Sequence, residues 1–211
     1  MAKKNTDKVV FHQIKVLDAG AKGVSVAKAP DGKVVFVSNV VPGDVVDVQT
    51  FKKRKAYYEG KAVKFHELSE HRVDPICEHF GVCGGCKWQN MKYSQQLFFK
   101  HNEVKNHLQR IGKIDLPDFE PILGSEKQFF YRNKMEFSFS NSRWLTEAEI
   151  GSSEELDNKN ALGFHIPKMW DKILDINKCH LQEDPSNAIR NEVREFANAN
   201  GLTFFNPRAH E

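Results

Sequence analysis

The chain has 211 residues, 31 Lys and Arg against 28 Asp and Glu (net charge +3), and 40% hydrophobic residues including sixteen Phe, enough for one large packed domain or two smaller ones. The N-terminus MAKKNTDKVV has no apolar h-region, which excludes a secretory signal, and no window approaches the ~20 apolar residues of a membrane span. The expectation is a soluble, cytoplasmic protein, where cysteines seldom form structural disulfides and metal binding is the better reading of its four Cys. Charge is unevenly spread: residues 1–66 hold 13 Lys and Arg against 6 Asp and Glu, and residues 67–211 hold 18 against 22. That asymmetry suits an N-terminal module facing a polyanion, and equally a lysine-rich solvated surface.

In chain order, VVFHQIKVL, VSVAKA, VVFVS, VVDVQTF and YYEGKAVKF are runs rich in Val, Phe and Tyr, cut by the turn signals DAGAKG, PDGK and VVPGD. Five such strands in about sixty residues predict a small closed barrel of the oligonucleotide-binding type. Lys52, Lys53, Arg54 and Lys55 stand together before Tyr57 and Tyr58. In a hairpin this sets cations beside aromatic faces, a combination that binds phosphates and stacks bases; the competing reading is a turn kept soluble by lysine.

The run PICEHFGVCGGCKWQ follows, with Cys77, Cys83 and Cys86 spaced C-x5-C-x2-C; the fourth cysteine, Cys179, comes ninety-two residues later and precedes His180. Three soft ligands within ten residues can hold one metal centre if the fold returns the fourth. Gly84 and Gly85 let the backbone wrap closely. Structural zinc more often shows two paired knuckles, so one pair with an outlier and a remote single is closer to iron–sulfur ligation; zinc and unligated thiols remain as alternatives. Four thiolates would close the last iron and suit a structural or redox-sensing centre better than a radical generator. No cysteine is left over as a nucleophile. His79 and His180 read as donors beside the ligands or as RNA contacts, and Phe80 and Trp88 as apolar shielding in first place, with base stacking as the alternative.

Beyond the cysteines, Leu97, His101, Val104, Leu108 and Ile111 recur at spacings of four and three, predicting an amphipathic helix of about five turns ended by Gly112, with His101 packed. FFYRNKMEFSFS alternates, so Tyr131, Asn133, Met135, Phe137 and Phe139 are expected on the buried face of a strand, with Arg132 and Lys134 on its polar face. ALGFHI and KILDI extend the same antiparallel sheet, and SRWLTEAEIGSSEELDNKN between them reads as a hairpin excursion or loose loop. A last helix is expected with Asp184 as cap, Pro185 at its first position, Ile189, Val193 and Phe196 on its apolar face, and Gly201 closing it. LTFFNPRAHE has no closing element.

Taken together, VVFVSNVVPGDVVDVQTFKKRKAYYEGKAV, RVDPICEHFGVCGGCKWQNMKYSQQLFFK, YRNKMEFSFS, the Cys179-His180 pair and FNPRAHE resemble the bacterial RNA 5-methyluridine (uracil-C5) methyltransferases of the RumA type. The resemblance implies a β-rich, α+β chain. An RNA-binding TRAM barrel would occupy residues 1–66, and residues 67–211 a central domain, incomplete at its C-terminus, with an antiparallel sheet and an iron–sulfur loop. It implies a [4Fe–4S] cluster on Cys77, Cys83, Cys86 and Cys179. Arg132, Asn133 and Lys134 fall in a segment similar to a family signature and would reach RNA backbone or the target-base pocket; the plainer reading is surface charge paired with Glu136. Family members continue into a domain that binds S-adenosylmethionine and carries the catalytic cysteine and base. This chain has no G-x-G-x-x-G and no fifth cysteine, so no catalytic residue is expected within it and it should be inactive alone. The expected partner is RNA, in first place 23S ribosomal RNA, with a monomeric protein and no membrane. The rival is a non-catalytic RNA-binding adaptor bearing a cluster or zinc.

Overall fold

In a computed structural model, residues 9–150 and 159–211 are described. They fall into two compact units: residues 9–75 with 87–125, and residues 76–86 with 126–150 and 159–211. Residues 151–158, within the expected hairpin excursion or loose loop, and the lysine-bearing residues 1–8 lie outside the described set. No helix among the described residues is long and apolar enough to cross a membrane.

The first unit contains the expected barrel. Strands β1 (Val10–Ala19), β2 (Val24–Lys28), β3 (Val34–Ser38), β4 (Val45–Lys53) and β5 (Tyr57–Glu67) close in the order β1-β2-β3-β5-β4. All pairs are antiparallel except β3 with β5, which runs parallel. Side chains alternate across each strand. Ile14, Val16, Ala27, Val35, Val37, Val46 and Val48 therefore fill the interior, while Val34 and Phe36 stay partly exposed. Such branched residues pack well in a narrow barrel and lose little χ1 freedom in strands.

Chain exit from the barrel is organised by Asp44, a fully buried carboxylate. It accepts the N–H groups of Val41 (2.7 Å) and Ser69 (2.9 Å), and the Arg72 guanidinium grips both its oxygens at 2.8 Å. Downstream, Lys92 donates to the His71 carbonyl and Val73 to the Asn90 carbonyl, at 2.9 and 3.2 Å. These bonds pin together the two stretches that flank the cysteine loop.

Helix α1 (Tyr93–Asn106) follows and runs into a wider turn, His107–Ile111, closed by the Gly112 N–H on the His107 carbonyl at 2.9 Å. Its buried residue is Phe99, packed with Ala19, Val41 and Met91. The expected stripe is not the buried one, since Val104 and Ile111 are exposed. The helix joins the core of its unit through Phe99, in its N-terminal half. His101 stacks edge-on against Phe119 at 4.8 Å.

The second unit holds β6 (Ser138–Ser140), β7 (Ala161–Ile166) and β8 (Met169–Asp175) as an antiparallel sheet with β7 in the centre. A single helical turn, α2 (Glu147–Ile150), precedes the undescribed residues. The sheet expected from FFYRNKMEFSFS is much shorter than its alternation suggests. Residues 128–137 are irregular, and two backbone bonds, Phe130 to the His180 carbonyl and Arg132 to the Leu181 carbonyl, tie them to a loop instead of a strand.

Helix α3 (Ser186–Ala199) also departs from expectation. Ile189 and Phe196 are each 59% exposed and Val193 is exposed too, while Asn187, Arg190 and Ala197 are buried. Asp184 bonds the Asn187 side chain at 3.2 Å rather than capping the backbone, and Pro185 sits just before the helix. At the other end Gly201 (φ +62°) donates to Asn198 and Leu202 donates to Ala197, the paired bonds of a Schellman closure. The final residues pack back: Phe204 is buried against Phe139 at 5.0 Å, and Arg208 holds Asp171 at 2.7 Å.

Candidate metal centre and nucleic-acid interface

All four cysteines belong to the second unit, because the chain lends it residues 76–86. Cys179 is buried in an apolar cluster with Ile166, Leu174, Ile176 and Leu181, and Cys83 and Cys86 pack against the same cluster. In the loop, Phe80 donates to the Cys77 carbonyl (3.1 Å) and Cys83 to the His79 carbonyl (2.9 Å), two successive turns that leave Cys77, Cys83 and Cys86 half-buried. The Gly85 N–H points at the Cys83 sulfur, 3.4 Å away. A Cβ on Gly84 would stand 3.0 Å from the His165 carbonyl oxygen, so the loop lies against the end of β7 where a side chain would intrude. His79 Nε2 accepts the Asn177 N–H at 3.4 Å, linking the loop to the turn before Cys179.

Burial pushes the thiols of Cys77 and Cys83 above the ordinary cysteine range, and the other cysteines of the group push the same way. Burial likewise lowers His79 and His180, favouring neutral imidazoles. As they stand, no three His, Cys, Asp or Glu side chains among the described residues are arranged to hold a metal ion. Cys83, Cys86 and Cys179 share one apolar patch and Cys77 lies in the same unit, so the donor types, though not a formed site, are those that soft metals take. A centre binding there would displace their protons. Trp88 lies elsewhere, packed with Met91 and Phe99 in the first unit.

The cation-rich segment forms the β4–β5 hairpin tip, closed by the Arg54 N–H on the Tyr57 carbonyl at 2.8 Å. Lys52 is ion-paired with Glu59, and Lys53 lies over the Tyr58 ring at 5.9 Å. Arg54 and Lys55 are exposed. Tyr58 is buried, its hydroxyl donating to Asp31 at 2.9 Å, so it offers no face to a base. Tyr57 points outward and meets Phe36 edge-to-face at 5.4 Å and 72°. Phe36 was missed in the sequence because the parallel β3–β5 pairing that brings it beside Tyr57 is not a local signal.

Arg132, Asn133 and Lys134 are all exposed. Arg132 and Asn133 line an open cleft of about 450 Å³ with Lys127, Phe130, Tyr131, Gln182, Glu183 and Ser186. Lys134 is outside that lining and faces Glu136 at 3.4 Å, the surface pairing considered from the sequence. Phe130 holds a left-handed φ of +56°, uncommon for a bulky residue, at the cleft edge.

Residues 12–63 match the TRAM domain family. The chain is similar to proteins described as uncharacterized RNA methyltransferases. That of Bacteroides thetaiotaomicron is 54% identical over 191 residues (90% of this chain, 42% of that protein), and that of Chlorobaculum tepidum is 39% identical over 201 residues (94% and 42%). The chain thus spans about two fifths of the length of these curated relatives. Among solved structures, the Pyrococcus abyssi tRNA (uracil-54, C5)-methyltransferase in complex with S-adenosyl-L-homocysteine has a similar fold, with TM-score 0.57 and 21% identity over 95% of this chain and 40% of that one.

Proposed function

We propose that these residues are the RNA-recognition and cluster-bearing part of a cytoplasmic, monomeric, S-adenosylmethionine-dependent RNA uracil-C5 methyltransferase that forms 5-methyluridine in 23S ribosomal RNA. Residues 1–66 are its RNA-binding domain and residues 67–211 its central domain, of which residues 67–75 and 87–125 cluster with the barrel and residues 76–86 and 126–211 carry the thiols. The observation that supports this best is the gathering of Cys77, Cys83, Cys86 and Cys179 in one unit across ninety-two intervening residues. Their spread is compatible with a [4Fe–4S] centre, because a cubane gives each thiolate its own iron and does not require four sulfurs to converge on one ion. Bound there, the cluster would brace the second unit.

The chemistry of uracil explains the division of labour. C5 is a poor nucleophile until a thiolate adds to C6, and a base must then remove the C5 proton after methyl transfer. No cysteine here remains for that addition, so the nucleophile belongs to another part of the enzyme. These units instead hold the RNA while the target base leaves its stack, which costs a few kcal/mol. Arg54 and Lys55 supply phosphate contacts at the hairpin tip, and Lys52 and Lys53 reinforce the field there. Tyr57 offers a stacking face. Arg132 and Asn133 engage RNA in the cleft, with Lys134 at its margin.

The test is binding of a 23S rRNA fragment and a tRNA to the chain across a salt series. Arg54→Ala with Lys55→Ala should weaken rRNA binding and flatten the log–log salt slope by roughly 1.4, at about 0.7 for each single-stranded phosphate that is no longer neutralised. An unchanged slope removes the hairpin from the interface, and tighter binding of tRNA overturns the rRNA assignment. Labelled methyl transfer should require the full-length enzyme; activity of the 211-residue chain alone would refute the proposed division.

A further inference from the structure

We propose that Arg190 is the fixed counter-charge of the four-thiol site, held in place by Asn187 so that its guanidinium stabilises the anionic centre bound by Cys179 and its partners. This rests on the reading of the four cysteines as ligands. Arg190 is only 6% exposed. Its guanidinium donates to the carbonyls of Ile176 (3.1 Å) and Asn177 (2.5 Å) and to the side-chain oxygen of Asn187 (3.0 Å), all neutral acceptors. Nearby acids are engaged elsewhere: Asp175 is held by Arg194 at 2.7 Å, and Asp184 accepts from Asn187. A buried cation paired only with neutral groups is strongly unfavourable unless an anion lies within reach. Among the described residues no carboxylate pairs with it directly; Asp175 and Asp184 act on it only from a distance, and Asn187 ties it to the backbone of Cys179.

Asn187 shows why the charge is aimed there. Its side-chain oxygen accepts the Cys179 N–H at 2.8 Å and its nitrogen donates to the Cys179 carbonyl at 3.2 Å. One amide therefore clasps the backbone of the fourth ligand while the same oxygen steadies the guanidinium. This also explains why α3 buries its polar face and leaves Ile189 and Phe196 outside. Groups just beyond the ligands tune a cluster through net charge and hydrogen bonding. A nearby cation favours the more negative, reduced state.

The experiment uses the 211-residue chain reconstituted anaerobically with iron and sulfide, comparing wild type with R190Q, R190K and N187D. Iron and sulfide per chain, midpoint potential by redox titration, and the rate of iron loss in air are measured, with circular dichroism as the folding control. R190Q should lose iron at least tenfold faster. Its equilibrium favouring the reduced centre should fall about tenfold, a drop of about 59 mV for one electron. R190K should stay near wild type. N187D is nearly the same size and puts a carboxylate on the guanidinium, at the cost of the bonds from Asn187 to the Cys179 carbonyl and Asp184, and should lower the potential even if R190Q does not fold. An unchanged potential in N187D, or R190K falling as far as R190Q, overturns the counter-charge. A wild-type chain that takes up no iron and sulfide overturns the ligand reading itself, and this proposal with it.

Discussion

The barrel encloses Val, Ile and Ala side chains, and its buried Tyr58 sends its hydroxyl out to Asp31. The second unit buries Cys179, Asn187 and Arg190 beside its aliphatic residues, and its main helix turns Ile189, Val193 and Phe196 to the outside. One region is held by the removal of apolar surface from water, which needs no ligand. The other gathers polar and soft groups, each of which costs free energy to bury unless partnered. The two should therefore respond differently to the same insults.

The largest contrast is expected from Cys179→Ser, or from chelation of the reconstituted chain. Iron should be lost almost completely and the second unit should lose its cooperative thermal transition, while the barrel transition stays within a few degrees of wild type. Loss of both transitions together would show that the barrel depends on the thiol site. Coincident loss of neither would show that the second unit stands without a centre.

Next in size is Asp44→Ala, which strips the partner from Arg72 and from the buried N–H groups of Val41 and Ser69 in the barrel unit. Breaking a buried ion pair on one side costs about 3–5 kcal/mol. Urea unfolding should show that loss in the barrel transition, with iron content unaltered. A change below about 1 kcal/mol would mean that backbone packing, not the carboxylate, fixes the exit of the chain.

The smallest effect concerns acid. The Gln13 N–H at the β1 bulge holds the Asp47 carboxyl down at about 2, with His66 and His12 adding to the shift. A depressed carboxylate stabilises the fold fully above its unfolded value near 4, and that contribution fades as pH falls towards 2. Asp31, held at about 2 by Lys33 and Tyr58, acts in the same window. Asp47→Asn should flatten the pH dependence of barrel stability between about pH 4 and 2; a slope equal to wild type would discount the carboxylate.

Much of this was legible locally. The five strands, their turns and the Gly201 closure follow from alternation and from glycine at a position of positive φ. The β6 segment misled because alternation shows only that a strand is possible, and the backbone of residues 130–132 found partners in the loop at 180–181 instead. In α3, Ile189, Val193 and Phe196 drew attention, while Asn187 and Arg190, also at helical spacing, carried the burial. A polar face can be the inward one when the groups it meets are backbone carbonyls and a thiol-bearing turn.

The chain's order of residues alone determined the barrel strands, the spacing of three cysteines and the cation-rich hairpin, because each is set within a few residues by propensity or covalent separation. Only the tertiary structure decided that residues 76–86 join the later unit, that Phe36 lies beside Tyr57, and that Arg190 is buried near Cys179. Those facts depend on contacts between segments far apart in the chain, and no local pattern encodes which surface a folded segment will find.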